Sequence, residues 1–186
     1  MNPVRLHATP LAGLTLIEAG SVSDARGRFT RVFCEDELHA LQPGLHFPQI
    51  NLSATRTRGS VRGLHFQHPP ASEAKLIRCL RGRVFDVAVD LRAGSPTFLR
   101  WHAVELDAEG PLQVFIPAGF AHGFQALSDE VELLYLHTAR WSRAHEGGLH
   151  PADPRLGIAW PLPLSNLSAR DAGAAPLGAD FAGITP

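Results

Sequence analysis

Between residues 47 and 138 the sequence is a succession of short apolar runs in strand-type alternation, each closed by a turn signal. The runs cover 47–54, 60–67, 75–80, 84–91, 101–106, 112–116, 120–127 and 131–138. The punctuation is Pro69-Pro70, Arg81-Gly82, Gly94-Ser95-Pro96, Glu109-Gly110-Pro111 and Ser128-Asp129. No long segment with a 3.6-residue period interrupts them. Strands this short cannot bury a face singly, and many at near-regular spacing predict a sandwich, jelly roll or barrel. Upstream, 14–18 reads as a strand. Asp24-Ala25-Arg26-Gly27 is a polar turn leading into a strand through Phe29 and Phe33, and 35–41 suits one or two helical turns. After Pro154 the chain is rich in proline, glycine and alanine, which predicts irregular structure with at most a short helix. The expectation is one all-β domain over 1–186 with short peripheral helices. In it, strands in 1–34 form an interface and 155–186 is an irregular tail carrying Asp171.

Composition limits the partners. With 45% apolar residues in 186, the chain can bury a sizeable core. A formal net charge of -1 excludes binding nucleic acid by bulk charge, so an anionic ligand needs a local cluster. Cys34 and Cys79 are too few for a disulfide framework. The N-terminus has no apolar signal core, and no stretch reaches the ~18 apolar residues of a membrane span. A soluble, cytoplasmic protein is expected. The basic residues are 16 arginines and one lysine, Lys75, and there is one tyrosine, Tyr135. The arginine excess is the mark of a GC-rich genome. Against that bias a surviving lysine stands out where a site needs a compact ammonium.

Two segments carry the chemistry. One is Gly59-Ser60-Val61-Arg62-Gly63-Leu64-His65-Phe66-Gln67, followed by Lys75 and Gly82; the other is Pro117-Ala118-Gly119-Phe120-Ala121-His122-Gly123-Phe124. Both resemble the two cupin motifs, whose histidines and glutamate usually bind a metal inside the barrel. Here Gln67 stands in place of the second histidine and Lys75 in place of the glutamate. A protonated ammonium offers no lone pair and repels a dication, so the set is a poor first shell for a transition metal. The expectation is a retained barrel without metal or other cofactor.

Further motifs resemble one family in order along almost the whole chain. They are Asp24-x-Arg26-Gly27-x-Phe29, Gln49-x-Asn51-x-Ser53, Arg62 to Gln67, Asp86 to Arg92 with Gly94-Ser95-Pro96, Pro117 to Phe124, Tyr135, Asp153-Pro154, Trp160-Pro161 and Leu167-Ser168-Ala169-Arg170-Asp171. Together they resemble the dTDP-4-dehydrorhamnose 3,5-epimerases, a cupin-type jelly-roll family. That resemblance implies cofactor-free epimerisation at C3 and C5 of a nucleotide-linked 4-keto-6-deoxyhexose. It also assigns roles: His65 the base, Asp171 its orienting carboxylate, Lys75 the cation facing the enolate oxygen, and Tyr135 the proton donor on the other face. Arg62 and Arg170 would meet the diphosphate, Trp141 would stack on the nucleobase, and Gln49, Asn51 and His122 would line the sugar pocket. Arg26 and Phe29 match a segment that reaches into the partner's site in a homodimer. No nucleic acid or membrane partner is implied.

Simpler readings stand beside these. His7, His39, His46, His68, His102, His137, His145 and His150 read as structural, and Arg56, Arg58, Arg81, Arg83, Arg143 and Arg155 as solvated charges. Tyr135 shares strand parity with Val131, Leu133 and His137, which also suits a packed core tyrosine. Arg62 and His65 differ in parity, so both reach one pocket only if the strand bulges, and Gly63 is the residue that would allow it. A mono-epimerase acting at C3 or C5 alone, a ketoisomerase of another nucleotide deoxysugar and, from a different class, a metal cupin oxygenase remain alternatives.

Overall fold

The computed structural model describes residues 3–186. Its elements are β1 (Arg5–Ala8), β2 (Thr15–Glu18), β3 (Ser21–Asp24), β4 (Gly27–Thr30), α1 (Glu35–Leu38), β5 (Gln49–Thr55), β6 (Val61–Gln67), β7 (Lys75–Arg81), β8 (Arg83–Asp90), β9 (Trp101–Asp107), β10 (Leu112–Ile116), β11 (Phe120–Ala126), β12 (Val131–His137), β13 (Glu146–Gly148) and α2 (Ala169–Ala172). A single 3₁₀ turn spans Arg143–His145. Two antiparallel sheets face each other, one ordered β1-β2-β10-β7-β12-β5 and the other β13-β6-β11-β8-β9, while β3 and β4 form a separate hairpin. This is the cupin-type jelly roll. The eight central strands fall within a residue or two of the predicted runs. The short β1, β3 and β13 have no alternation long enough to mark them and were not anticipated. No helix among the described residues is long and apolar enough to cross a membrane.

Three apolar layers follow from strand parity. Between the sheets, Ile77, Cys79, Val84, Ala88, Val114, Ile116, Phe124, Val131 and Leu133 form the inner core. Alternate residues on the same strands point outward and are largely covered, except on the edge strand β5, where Ile50 and Leu52 stay exposed. Leu38 of α1 and Leu45 pack on Ile17, Leu76, Phe115 and Leu136 of the six-stranded sheet. On the five-stranded sheet Leu149, just after β13, and Leu156, Leu177 and Ile184 of the tail pack onto Leu64, Val87, Val89, Leu91 and Ala121. This double coverage explains why β8 reads as a near-continuous apolar run. The tail has little regular structure, as expected, yet it is a packed layer. Each fully buried aliphatic side chain in it contributes about 1.5–3 kcal/mol, and backbone bonds such as Val61 N to Ser165 O at 3.1 Å pin it to β6.

The parity problem on β6 is solved by a bulge. From the His122↔His65 pair to the Phe124↔Arg62 pair, β11 advances two residues and β6 three. Gly63 sits there with φ +119°, and a Cβ on it would lie 2.6 Å from Gly123 Cα and 2.7 Å from the His122 carbonyl oxygen. Only glycine permits that backbone and that approach.

Candidate active site

The inner face of the sandwich changes character along its strands. On β12, Val131 and Leu133 belong to the core, whereas Tyr135 and His137 of the same parity line a cavity of about 910 Å³. On β7, Ile77 and Cys79 are core and Lys75 opens into that cavity. His65 and Gln67 enter from β6, His122 from β11 and Asn51 from β5. The volume is within the range of sites that enclose ligands of some size.

His65 and Asp171 meet from opposite ends of the chain. His65 Nε2 lies 2.7 Å from Asp171 Oδ1, with the Asp171 side chain 5% exposed. A carboxylate can only accept, so Nε2 carries the hydrogen and Nδ1 keeps the lone pair. Asp171 is itself fixed. Its Oδ2 accepts from Gly63 N at 3.3 Å, and its backbone N donates to Ser168 Oγ, the N-cap of α2, at 3.0 Å. Burial pushes the His65 pKa below its ordinary 6.5, and the Asp171 carboxylate opposes this only in part. His65 is therefore neutral at neutral pH.

Across the cavity the Tyr135 hydroxyl is pushed the other way. Burial first, then the charge of Asp86, raises its pKa well above the usual phenol value, so it keeps its proton. A neutral imidazole and a protonated phenol thus face one space, the pairing expected of a base and an acid. The Lys75 ammonium, its side chain 8% exposed, donates to the His65 carbonyl oxygen at 3.3 Å and pairs with Glu73 Oε1 at 3.2 Å. His122 is held by Asp86, Nε2 to Oδ2 at 2.9 Å, and its ring meets Tyr135 edge-on at 5.8 Å.

At the mouth, Arg170 pairs with Glu146 at 2.8 Å. Burial works to raise the Glu146 carboxyl, but hydrogen bonds from Trp141 and Arg170 hold it below its ordinary value. Arg62 donates to Thr55 Oγ1 and to the Ala54 carbonyl, each at 2.9 Å. Trp141 is 56% exposed at the rim. Gln67 spends both ends of its amide on loop backbone, donating to the Ala71 and Arg140 carbonyls and accepting from Ser142 N. Among the described residues no group of three or more His, Cys, Asp or Glu side chains is placed to hold a metal ion.

Of the twelve residues singled out from sequence, nine line this cavity: His65, Asp171, Tyr135, Lys75, Asn51, Arg62, His122, Trp141 and Arg170. Gln49 does not, contrary to expectation; as the first residue of β5 its amide oxygen reaches the backbone N of Trp141 at 2.9 Å and positions that segment instead. Arg26 and Phe29 lie apart on the β3–β4 hairpin, where they line a separate surface hollow. Two sequence readings are corrected in the other direction. His137, read as structural, and Arg56, read as a solvated charge, both line the cavity. Glu73 does so too and was not singled out. For His137 a signal existed, since it shares parity with Tyr135 two residues away. Glu73 lies in an irregular link, where no periodicity says which way a side chain turns.

The sequence matches the profile of the dTDP-4-dehydrorhamnose 3,5-epimerase family over residues 8–179. The chain belongs to that family. A dTDP-4-dehydrorhamnose 3,5-epimerase of Sinorhizobium fredii (strain NGR234) is 44% identical over 161 residues, covering 87% of this chain and 83% of that one. A dTDP-4-dehydrorhamnose 3-epimerase of Streptomyces niveus is 41% identical over 185 residues, 98% of this chain and 89% of its own. The family fold is equally plain. A solved dTDP-6-deoxy-D-glucose-3,5-epimerase of Legionella pneumophila, in complex with dTDP-4-keto-L-rhamnose, superposes with a TM-score of 0.91 at 37% identity, over 98% of this chain and 99% of that one.

Proposed function

We propose that this member of the family epimerises dTDP-4-dehydro-6-deoxy-D-glucose at C3 and C5 to dTDP-4-dehydro-L-rhamnose, without a cofactor. The observation that carries the reading is the His65–Asp171 pair at 2.7 Å, opening on the same cavity as Lys75 and Tyr135. The C4 ketone acidifies the hydrogens on C3 and C5. His65 Nδ1 takes one of them as the C–H electron pair moves into the enolate. The Lys75 ammonium faces the enolate oxygen and stabilises its charge. The Tyr135 hydroxyl then gives its proton to the opposite face of the same carbon, inverting it. The imidazolium and the tyrosinate return to their starting states by exchange with solvent. Asp171 orients the imidazole and supports its cationic form, as in a hydrolase triad without its nucleophile.

The remaining residues hold the handle of the substrate. Arg62 and Arg170 suit the diphosphate with their planar forks, Trp141 suits the nucleobase, and Asn51 and His122 suit the sugar. In this reading the protein is a homodimer, and Arg26 and Phe29 serve the partner's cavity. Support comes from the exposure of Phe29, 67%, and from Ile50 and Leu52, 60% and 59% exposed, on the edge strand β5. Two free cysteines fit a reducing, cytoplasmic setting. Epimerisation at one carbon is the second reading, favoured by the likeness to the Streptomyces niveus 3-epimerase. Incubation with dTDP-4-keto-6-deoxyglucose in deuterated water decides between them. Deuterium at C3 and C5 with L-rhamno product is the expected result. Exchange at one carbon supports the second reading, and exchange at neither refutes both.

A further inference from the structure

Glu73 is a carboxylate of the cavity wall that joins Lys75 to His137 and has no part in the chemistry above. Its side chain is 8% exposed, and each oxygen has its own partner. Oε1 accepts from the Lys75 ammonium at 3.2 Å, and Oε2 lies 2.9 Å from His137 Nδ1. Since a carboxylate only accepts, His137 carries its hydrogen on Nδ1 and offers Nε2 as an acceptor, 3.3 Å from Asn51 Nδ2. The His137 ring lies nearly parallel to that of Tyr135, at 13° and 5.8 Å between centroids. Lys75 and His137 are direct cross-strand partners on β7 and β12, and Tyr135 opposes Asn51 on β5. Glu73, from the link before β7, closes this lattice across the top of both strands.

We propose that Glu73 is a positioning residue which, by bridging Lys75 and His137, fixes the ammonium at the enolate oxygen and, through the His137 ring, the Tyr135 donor on the far side of the sugar. The inference rests on the proposed epimerase reading. Three features carry it. A lysine on a flexible four-carbon stem has many rotamers, and its other tie among the described residues is a 3.3 Å bond to the His65 carbonyl. A buried carboxylate is costly unless paired, so satisfaction of both oxygens marks a built contact. Both bridged groups lead to positions where charge or a proton must arrive within a fraction of an ångström. Burial acts to raise the Glu73 carboxyl, but His137 and Lys75 hold it below its ordinary value, so it is ionised at working pH.

The test compares Glu73→Ala, Glu73→Gln and His137→Ala with the wild type. Substrate turnover, dTDP affinity and solvent deuterium exchange are measured for each. Glu73→Ala is expected to lower kcat by about 10- to 100-fold while dTDP affinity changes little, because the nucleotide end is bound elsewhere. Glu73→Gln recovers only part of that loss, since an amide oxygen still accepts from Lys75 whereas its NH₂ meets the His137 Nδ1–H donor to donor. Glu73→Ala/His137→Ala loses no more than the worse single variant, because both break one bridge. An undiminished kcat in Glu73→Ala, no recovery by Glu73→Gln, or additive losses in the double variant overturns the inference. A wild type that neither exchanges nor epimerises overturns the underlying reading instead, so the two failures are distinguishable.

Discussion

The cavity wall and the β3–β4 hairpin both carry residues of the kind that binds a nucleotide sugar, but the chain treats them in opposite ways. In the wall the histidines and the lysine are each paired with a carboxylate distant in sequence or from a neighbouring segment: His65 with Asp171, His122 with Asp86, and Lys75 and His137 with Glu73. Most of those side chains are almost fully buried. On the hairpin, Phe29 is 67% exposed and Arg26 pairs, among the described residues, with Asp24, two residues away in the same turn. Arg28 ties the hairpin to the sandwich through the Ala108 and Glu109 carbonyls. Preorganisation is thus complete within the chain at the wall, whereas the hairpin presents ligand-type groups to whatever lies outside.

That contrast can be broken at the wall first. His65→Ala removes the base, and we expect turnover and deuterium exchange at both carbons to fall together by about 10³–10⁴; near-normal exchange read by NMR would show that another group takes the proton. Asp171→Asn should follow, with a loss of about 10²–10³, because an amide has one accepting oxygen for two donors, His65 Nε2 and Gly63 N, and no charge to support the imidazolium. The pH profile sharpens this case. Burial lowers the His65 pKa and Asp171 raises it, so the acid limb of kcat/KM in the wild type should have its midpoint below 6.5. Protonation silences the base, and activity is therefore lost as pH falls through that midpoint. Without the Asp171 charge, burial acts unopposed by it and the limb moves to still lower pH; a shift upward would contradict the assignment.

Tyr135→Phe should cost about 10² in product formation while exchange continues. The enolate still forms and is reprotonated from the face it left, so deuterium enters with retained configuration. Wild-type product formation in this variant would return Tyr135 to the role of a packed core residue. The hairpin gives the smallest effect. Phe29→Ala removes a side chain that touches little of its own chain, so stability should change by no more than about 0.5 kcal/mol. If the hairpin serves a partner's cavity, KM rises about tenfold, the worth of one lost aromatic contact of about 1.4 kcal/mol. An unchanged KM, or full activity of a monomer in sedimentation, would confine the site to one chain.

Legibility from sequence followed the range of the interaction involved. The central strands could be read because alternation and turn residues act within about ten residues of each other. The need for a bulge could be read from the clash in parity between Arg62 and His65, and Gly63 named where it would fall. For Gln49 motif position indicates a neighbourhood and no more; only the structure shows its amide bonding the Trp141 backbone. Glu73 was missed because it lies outside any strand.

By itself the sequence determined the layered β architecture, the face of each strand that must be buried and the residue types able to take, stabilise and return a proton. These follow from side-chain chemistry and a two-residue period. Tertiary structure alone decided which of them meet. The tail had to pack Leu177 and Ile184 on the outer sheet before Asp171 could reach His65, 106 residues away. Glycines had to face each other at Gly63 and Gly123 before Arg62 and His65 could share a cavity. The β7–β12 register had to set Lys75 opposite His137 before one carboxylate could bridge them. Each is a long-range contact whose geometry depends on the whole sandwich closing, and no local pattern in the chain encodes it.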